Sequence, residues 1–234
     1  MMLLQASQIT KRFAHRMVLN GLDLNVQPGE VVTIFGPNGA GKTTLIQILS
    51  TLIKPTSGTL QIGGIDALAE TARIRPSLGL VVHEPLAYLE LSPYENLKFF
   101  GRLYNLDGLE QRIADLLDEV QLTPYAHEPV KIFSRGMIQR FMIAKALIHD
   151  PTVLLFDEPF SGLDLAARQF VLKRIHQERA RGKGIILTTH NTELGYHAGS
   201  HFHFLLTGQI EMVAEKEDIG LEALSREYED RLKR

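Results

Sequence analysis

The sequence predicts an α/β fold in which helices cover both faces of a parallel sheet. Four short runs of apolar and largely β-branched residues are bounded by turn residues, at 31–35, 78–82, 153–156 and 185–188. Their apolarity is continuous rather than alternating, which is typical of strands that are buried on both faces. Helical spacing separates these runs, first after Gly41 and again over residues 137–148.

The amino-terminal part has a different pattern. Residues 3–10 and 22–26 alternate between apolar and polar side chains. This alternation predicts half-buried antiparallel strands beside the parallel sheet.

Residues 86–150 show helical spacing and no convincing strand. Ser92 and Glu95 flank Pro93 in the order of a capping box, which predicts a helix start, with a tight turn as the alternative. A second helix is predicted over 109–120, because its apolar residues fall on one face, at Ile113, Leu116, Leu117 and Val120. The sequence therefore predicts an all-helical insertion within the α/β core.

The charge-rich stretch after Glu215 contains a further amphipathic pattern. Its apolar residues lie on one helical stripe, at Leu221, Leu224, Tyr228 and Leu232. Two interpretations are open, a helix that docks on its own domain and a helix that binds a partner, and the first is favoured.

Composition excludes several classes of function. The 234 residues contain no cysteine, which excludes disulfide frameworks, thiolate metal sites and cysteine nucleophiles. The 25 lysines and arginines nearly balance the 27 acidic residues, so charge gives no argument for a nucleic-acid partner. The longest apolar runs are about a quarter of the roughly 20 residues that a bilayer span requires, and no targeting segment is evident at the start. We therefore expect no membrane span in the chain itself.

The strongest motif follows the apolar run at 31–35 and opens a helical pattern. It reads Gly36-Pro37-Asn38-Gly39-Ala40-Gly41-Lys42-Thr43-Thr44. Glycines let backbone N–H groups converge on a phosphate, and the helix start adds partial positive charge. Lys42 is expected on the β- and γ-phosphates, and the Thr43 hydroxyl on Mg²⁺. The alternative, a glycine-rich turn with a chance lysine, does not explain the full pattern after a strand.

Two acids end the apolar run at 153–156. Asp157 is expected to hold Mg²⁺, and Glu158 to act as general base on the water that attacks the γ-phosphate. Many strands end in acids, so this pair is informative only together with the phosphate loop. Parallel sheets gather ligands at the carboxyl ends of their strands, which would bring the two motifs together.

Three more motifs follow in order: Phe133-Ser134-Arg135-Gly136-Met137, Ser161-Gly162-Leu163-Asp164, and His190 after an apolar strand. With these, the sequence resembles the ATP-binding subunit of an ABC transporter over nearly its whole length. The resemblance implies a P-loop NTPase (ABC ATPase) core, with an antiparallel β subdomain at its amino end, formed by 1–85 and 151–234. It also implies a helical subdomain at 86–150 that carries the signature motif.

The same resemblance implies roles and partners. Phe13 would stack on adenine, and His190 would contact the γ-phosphate, whereas a histidine considered alone is more often structural. Ser134, Gly136 and Asp164 would complete an ATP site held by a second copy in a head-to-tail homodimer. ATP and Mg²⁺ would be the cofactors and transmembrane permease subunits the partners, at the cytoplasmic face of the cell (inner) membrane. Arg135 and Met137 stand where the commonest signature has Gly and Gln.

His83 is the residue at which the chain leaves the family pattern most clearly. Most relatives have Gln at this strand end, near the metal and the attacking water, so the resemblance implies that His83 is a catalytic residue and a metal ligand. Together with the segments 94–97 and 99–104, His83 makes the chain similar to the ATP-binding subunit of the haem exporter of cytochrome c maturation. We therefore expect haem export. An exporter of drugs, lipids or polysaccharides is the alternative.

Two other classes fit less well. A soluble ABC protein acting on ribosomes or DNA usually carries tandem cassettes or long coiled coils, for which 234 residues leave no room. A P-loop kinase or GTPase would explain the phosphate loop but neither 133–137 nor 161–164.

Overall fold

The computed structural model describes residues 2–82 and 84–233 of the chain. In chain order its strands are β1 (Leu4–Phe13), β2 (Arg16–Val26), β3 (Val31–Phe35), β4 (Ser57–Ile62), β5 (Ile65–Asp66), β6 (Leu78–Val81), β7 (Val153–Asp157), β8 (Gly184–Thr189), β9 (His201–Leu206) and β10 (Gln209–Glu215). Its α-helices are α1 (Lys42–Leu49), α2 (Thr71–Ile74), α3 (Pro93–Leu103), α4 (Leu109–Glu119), α5 (Arg135–Leu147), α6 (Leu165–Ala180), α7 (Thr192–Ala198) and α8 (Leu221–Leu232).

The strands form two sheets. The four apolar runs predicted as buried strands are β3, β6, β7 and β8, which lie in a six-stranded sheet of order β10-β9-β3-β8-β7-β6. Its strands pair in parallel except for β10, which runs antiparallel to β9. The register sets Phe35 beside Thr189 and Asp157 beside Thr188. The carboxyl ends of β3, β7 and β8 therefore meet at one edge.

The second sheet is antiparallel in order β2-β1-β4-β5. The predicted strands at 3–10 and 22–26 are present, but the structure extends them to Phe13 and back to Arg16. Strands β4, β5 and β10 were not predicted. In β4 only Leu60 and Ile62 carry the alternation, and in β10 the apolar Val213 falls on the exposed face.

Residues 86–150 fold into α3, α4 and α5 with two 3-10 turns, and the described chain has no strand there. The predicted capping box is present. The Glu95 N–H donates to the Ser92 hydroxyl at 3.2 Å, and the Ser92 N–H donates to the Glu95 carboxylate at 2.8 Å. The hydrogen bonds that the Ser92 N–H and hydroxyl donate to the Glu95 carboxylate hold the pKa of Glu95 below its usual range. Helix α4 buries Ile113, Leu116 and Leu117, as the spacing predicted.

Helix α8 docks on the chain's own core. Leu224 and Tyr228 are buried in a small cluster with Phe35, Phe202 and Phe204. Of the two interpretations of this segment, the structure shows the favoured one, a helix that docks on its own domain. Across the residues described, no helix has the length and apolarity that crossing a bilayer demands.

Candidate functional site

The phosphate loop, residues 36–44, leads from β3 into α1. Its backbone depends on glycine at defined positions. Gly39 and Gly41 have φ values of 83° and 107°, which side-chain-bearing residues rarely adopt. A Cβ on Gly36 would lie 2.5 Å from the carbonyl oxygen of Leu205. The loop therefore runs directly against β9.

Lys42 is buried behind this loop. Its ammonium donates to the carbonyl oxygens of Gly36 at 2.6 Å and Pro37 at 3.2 Å. It also lies 3.2 Å from Oε1 of Glu158. The lysine thus joins the phosphate loop to the end of β7, as the sheet order allows.

Asp157 and Glu158 are held by the neighbouring strand β8. The Thr188 hydroxyl donates to the Asp157 carboxylate at 2.6 Å, and Asp157 is buried. The Glu158 N–H is shared between the carbonyl oxygen and the hydroxyl of Thr188, at 3.2 and 3.1 Å. Glu158 adopts a φ of 50°, a costly conformation for a side-chain-bearing residue that persists only where its surroundings impose it.

His190 completes the environment of the Glu158 carboxylate. Its Nδ1 lies 3.0 Å from Oε2 of Glu158, and its ring is 58% exposed. The two atoms are within hydrogen-bond distance of each other. Glu158 is therefore fixed between a buried ammonium and an accessible imidazole.

The phosphate loop and Glu158 border a cleft of about 440 Å³. Its lining consists of Phe13, Arg16, Val18, Pro37, Asn38, Gly39, Gly41, Lys42, Thr43, Thr44 and Glu158. Phe13 is 47% exposed at its mouth, with the Lys11 ammonium 4.8 Å from the centre of its ring. The predicted aromatic residue and the predicted phosphate loop therefore share one cleft.

Ser134, Gly136 and Asp164 are not among the residues that line this cleft. Ser134 caps α5 by accepting from the Met137 N–H at 3.3 Å, and Asp164 caps α6 by accepting from the Ala167 N–H at 2.8 Å. The two segments touch each other, since a Cβ on Gly136 would lie 3.3 Å from that of Ala167. Within one copy of the chain these residues stabilise helix starts.

Three residues of the site are not predicted by the sequence patterns. Arg16 and Val18 line the cleft because β2 begins six residues earlier than its predicted start. Thr188 binds both acids because β8 lies beside β7. Thr188 could have been predicted from its position, because it is a polar residue near the end of an otherwise apolar strand. His83 lies outside the described residues.

The donor set near the cleft fits Mg²⁺. No three His, Asp or Glu side chains form a metal cage within 2–82 and 84–233. Mg²⁺ at phosphate sites is usually held by one or two protein oxygens together with phosphate oxygens. Thr43, exposed in the cleft, and Asp157, at the end of β7, provide oxygens of this kind.

Comparison with protein families and curated proteins gives consistent matches. A family model described as ABC transporter matches residues 19–161. The linearmycin resistance ATP-binding protein LnrL of Bacillus subtilis is 36% identical over 193 residues, 82% of this chain and 62% of LnrL. A Nod factor export ATP-binding protein I of Cupriavidus metallidurans is 38% identical, over 82% of this chain and 64% of that protein. The chain thus spans less than two thirds of both relatives.

A third relative matches from end to end. The lantibiotic transport ATP-binding protein SrtF of Streptococcus pyogenes is 33% identical over 98% of this chain and 97% of SrtF.

Solved structures agree with the predicted fold class. An ATP-binding subunit of an ABC transporter superposes with a TM-score of 0.87 at 28% identity, covering 97% of this chain and 99% of that one. An ATP-binding cassette solved as a dimer with ADP and Pi superposes with a TM-score of 0.84 at 25% identity, covering 92% and 100%. The predicted α/β class with its antiparallel sheet is confirmed.

Proposed function

The chain belongs to the ABC transporter family, and on that premise we propose that it is the ATP-binding and ATP-hydrolysing subunit that powers a membrane exporter. The observation that carries the proposal is the position of the Glu158 carboxylate. It borders the cleft of the phosphate loop, 3.2 Å from Lys42 and 3.0 Å from His190. A general base needs such a fixed place beside the phosphates whose hydrolysis it assists.

Each residue of the site has a role in this proposal. The phosphate loop binds the phosphates of ATP through its N–H groups, and Lys42 exchanges its carbonyl contacts for β- and γ-phosphate oxygens. Thr43 and Asp157 hold Mg²⁺, which neutralises phosphate charge when bound. Glu158 accepts the proton of the attacking water, His190 donates to the γ-phosphate, and Phe13 stacks on adenine.

A second copy of the chain completes the site. Ser134 and Asp164 lie outside the cleft of their own chain, and Ser134 is exposed at the start of α5. A hydroxyl beside the free N–H groups of a helix start suits an anion. We place Ser134, Gly136 and Asp164 against ATP held by the partner in a head-to-tail homodimer. The dimeric neighbour described above supports this arrangement.

Transmembrane permease subunits are the other partners. The helical subdomain of 86–150 has an exposed apolar surface, which we call the α3 patch. It is formed by three residues before α3 and two on it, Leu86, Tyr88, Leu89, Phe99 and Leu103. The rings of Tyr88 and Phe99 lie 5.1 Å apart, and the Asn96 side chain bonds the backbone of Tyr88 in both directions. Exposed apolar side chains grouped in this way are typical of a protein interface. The chain then works as a peripheral protein at the cytoplasmic face of the cell (inner) membrane.

We expect Leu103→Glu to weaken association with membranes that contain the permease. Leu103 is 62% exposed, so a charge there leaves the fold intact and disrupts only the patch. Central interface residues contribute 2 kcal/mol or more, so the affinity should fall about 30-fold. The measurement is cosedimentation with permease-containing membranes, and basal ATP turnover should be unchanged.

Val213→Glu is the matched control, because Val213 is similarly exposed but lies on β10. Equal membrane binding by Leu103→Glu and the parent would contradict docking through the α3 patch.

The cargo is proposed from the relatives. Those reported above are named for linearmycin resistance, Nod factor export and lantibiotic transport, and none of these names supports haem export. The expectation of haem export rested on His83, which lies outside the described residues, and on the segments 94–97 and 99–104. We therefore favour an exporter of the kind these relatives represent over the haem exporter, and the proteins that copurify from detergent-solubilised membranes test this choice.

The ATPase assignment is tested by phosphate release from MgATP by the purified chain. Turnover that disappears in Glu158→Gln supports the proposal. A parent chain that neither binds nor hydrolyses ATP would refute it.

A further inference from the structure

Helix α8 contacts the strand that leads into the phosphate loop. The ring of Tyr228 lies 6.0 Å from that of Phe35 and 5.6 Å from that of Phe204, between centroids. Phe35 ends β3 and directly precedes Gly36, whose carbonyl oxygen accepts from Lys42. The residue in contact with Tyr228 of α8 therefore directly precedes the phosphate loop.

Phe35 has no room to move away from Tyr228. Its ring is fully buried and lies 5.5 Å from Phe204 on the neighbouring strand. On another side it meets α7, where a Cβ on Gly195 would collide with the ring. Close-packed interiors transmit a change in one side chain to its neighbours. Loss of the Tyr228 ring would therefore displace Phe35 and, with it, the start of the phosphate loop.

The same helix also contacts the segment that carries His190. The Ser225 hydroxyl donates to the Thr192 hydroxyl at 3.3 Å. Thr192 begins α7, two residues after His190, and Asn191 between them caps that helix by accepting from the Leu194 N–H at 2.8 Å. Because His190 contacts Glu158, this hydrogen bond connects α8 to the proposed general base.

Tyr228 contributes through packing rather than charge. Burial, with a further contribution from the negative charge of Glu158, raises the pKa of Tyr228 to about 12. The hydroxyl is therefore protonated and neutral throughout the physiological range. Phenylalanine, which keeps the ring, is then a suitable replacement for this function.

We propose that Tyr228 and Ser225 of α8 are positioning residues for ATP hydrolysis. Tyr228 holds Phe35 and the phosphate loop, and Ser225 holds the segment that presents His190 to Glu158. Neither residue is among those that line the cleft. This inference rests on the proposed ATPase function and adds the carboxyl-terminal helix to the parts that set its rate.

The test compares kcat, KM for ATP, and the thermal unfolding temperature of the full chain and four variants. Ser225→Ala should lower kcat about two- to tenfold with KM unchanged, the range expected for one hydrogen bond. Tyr228→Leu should raise KM and lower kcat, each about tenfold, because sub-ångström errors in positioning are costly. Tyr228→Phe should restore both constants to within about twofold of the parent, since the ring contact is retained.

Tyr196→Leu is the matched control. Tyr196 packs in the same cluster, on Phe202 at 5.4 Å, but has no ring contact with Phe35. This variant should lower the unfolding temperature but change kcat and KM much less than Tyr228→Leu does, because its ring does not contact Phe35 directly. The inference is overturned if Ser225→Ala and Tyr228→Leu keep parental constants, or if Tyr196→Leu changes them as much. A parent without ATP turnover would instead refute the proposed function, and with it this inference.

Discussion

Glu158→Gln is expected to bind ATP nearly as well as the parent and to hydrolyse it about 100- to 10,000-fold more slowly, the range associated with loss of a general base. Glutamine keeps the size of the side chain, but its amide cannot accept the proton of the attacking water. Lys42 and Asp157 are unchanged, and Asp157 keeps its bond from Thr188. Bound ATP that is not hydrolysed should then hold two copies together, which light scattering with MgATP measures.

Glu193→Gln is a suitable control for this variant. Glu193 is an exposed acid on α7, three residues from His190, and it does not border the cleft. Its turnover should equal that of the parent. Near-parental turnover in Glu158→Gln would remove Glu158 from the role of base.

Lys42→Ala is expected to weaken ATP binding on the order of 10- to 100-fold, which corresponds to losing one hydrogen bond from a charged group, and to abolish turnover at ordinary ATP concentrations. The substitution also removes the two bonds that tie the ammonium to the Gly36 and Pro37 carbonyls. The loop therefore loses both a group that binds phosphate and two hydrogen bonds that hold its backbone. Fluorescent-nucleotide titration measures the affinity.

Lys173→Ala controls for the loss of a positive charge, since Lys173 is exposed on α6. It should bind ATP as the parent does. Parental affinity in Lys42→Ala would mean that the phosphates lie elsewhere.

Mixing two inactive variants tests the shared site. Ser134→Ala should spare ATP binding by one copy, because Ser134 does not line its own cleft, yet it should impair hydrolysis. A heterodimer of Lys42→Ala with Ser134→Ala contains one site with both residues intact. Turnover should therefore reappear on mixing and follow the heterodimer fraction, whereas no recovery would contradict composition of the site from two chains.

Much of the fold follows from patterns that are local in the sequence. The run at 31–35 predicts β3 because continuous apolarity fits a strand buried on both faces. Ser92 and Glu95 predict the start of α3 because both groups of the capping box lie within one turn. The phosphate loop is also a local pattern, and its glycines predict the positive φ values that its backbone adopts.

The contacts that connect distant segments could not be predicted in this way. Lys42 and Glu158 are 3.2 Å apart because β3 and β7 both neighbour β8, and sheet order is not encoded in either motif. The left-handed backbone conformation of Glu158 could not be predicted, because glycine usually marks such a conformation and this residue is a glutamate. Strand β10 lies at a sheet edge, and its exposed Val213 breaks the apolar–polar alternation in the sequence.

The place of β3 in its sheet has a consequence for synthesis on the ribosome. Phe35 pairs with Thr189 and Phe204, so both hydrogen-bonding neighbours of this strand belong to the last quarter of the chain. At translation rates of 5 to 20 residues per second, the strand emerges about ten to thirty seconds before they exist. Throughout that interval a largely apolar segment has unpaired edges, the situation that favours aggregation and chaperone binding. We therefore expect nascent chains stalled before residue 184 to be protease-sensitive around Val31–Phe35, and released full-length chains to be protected there.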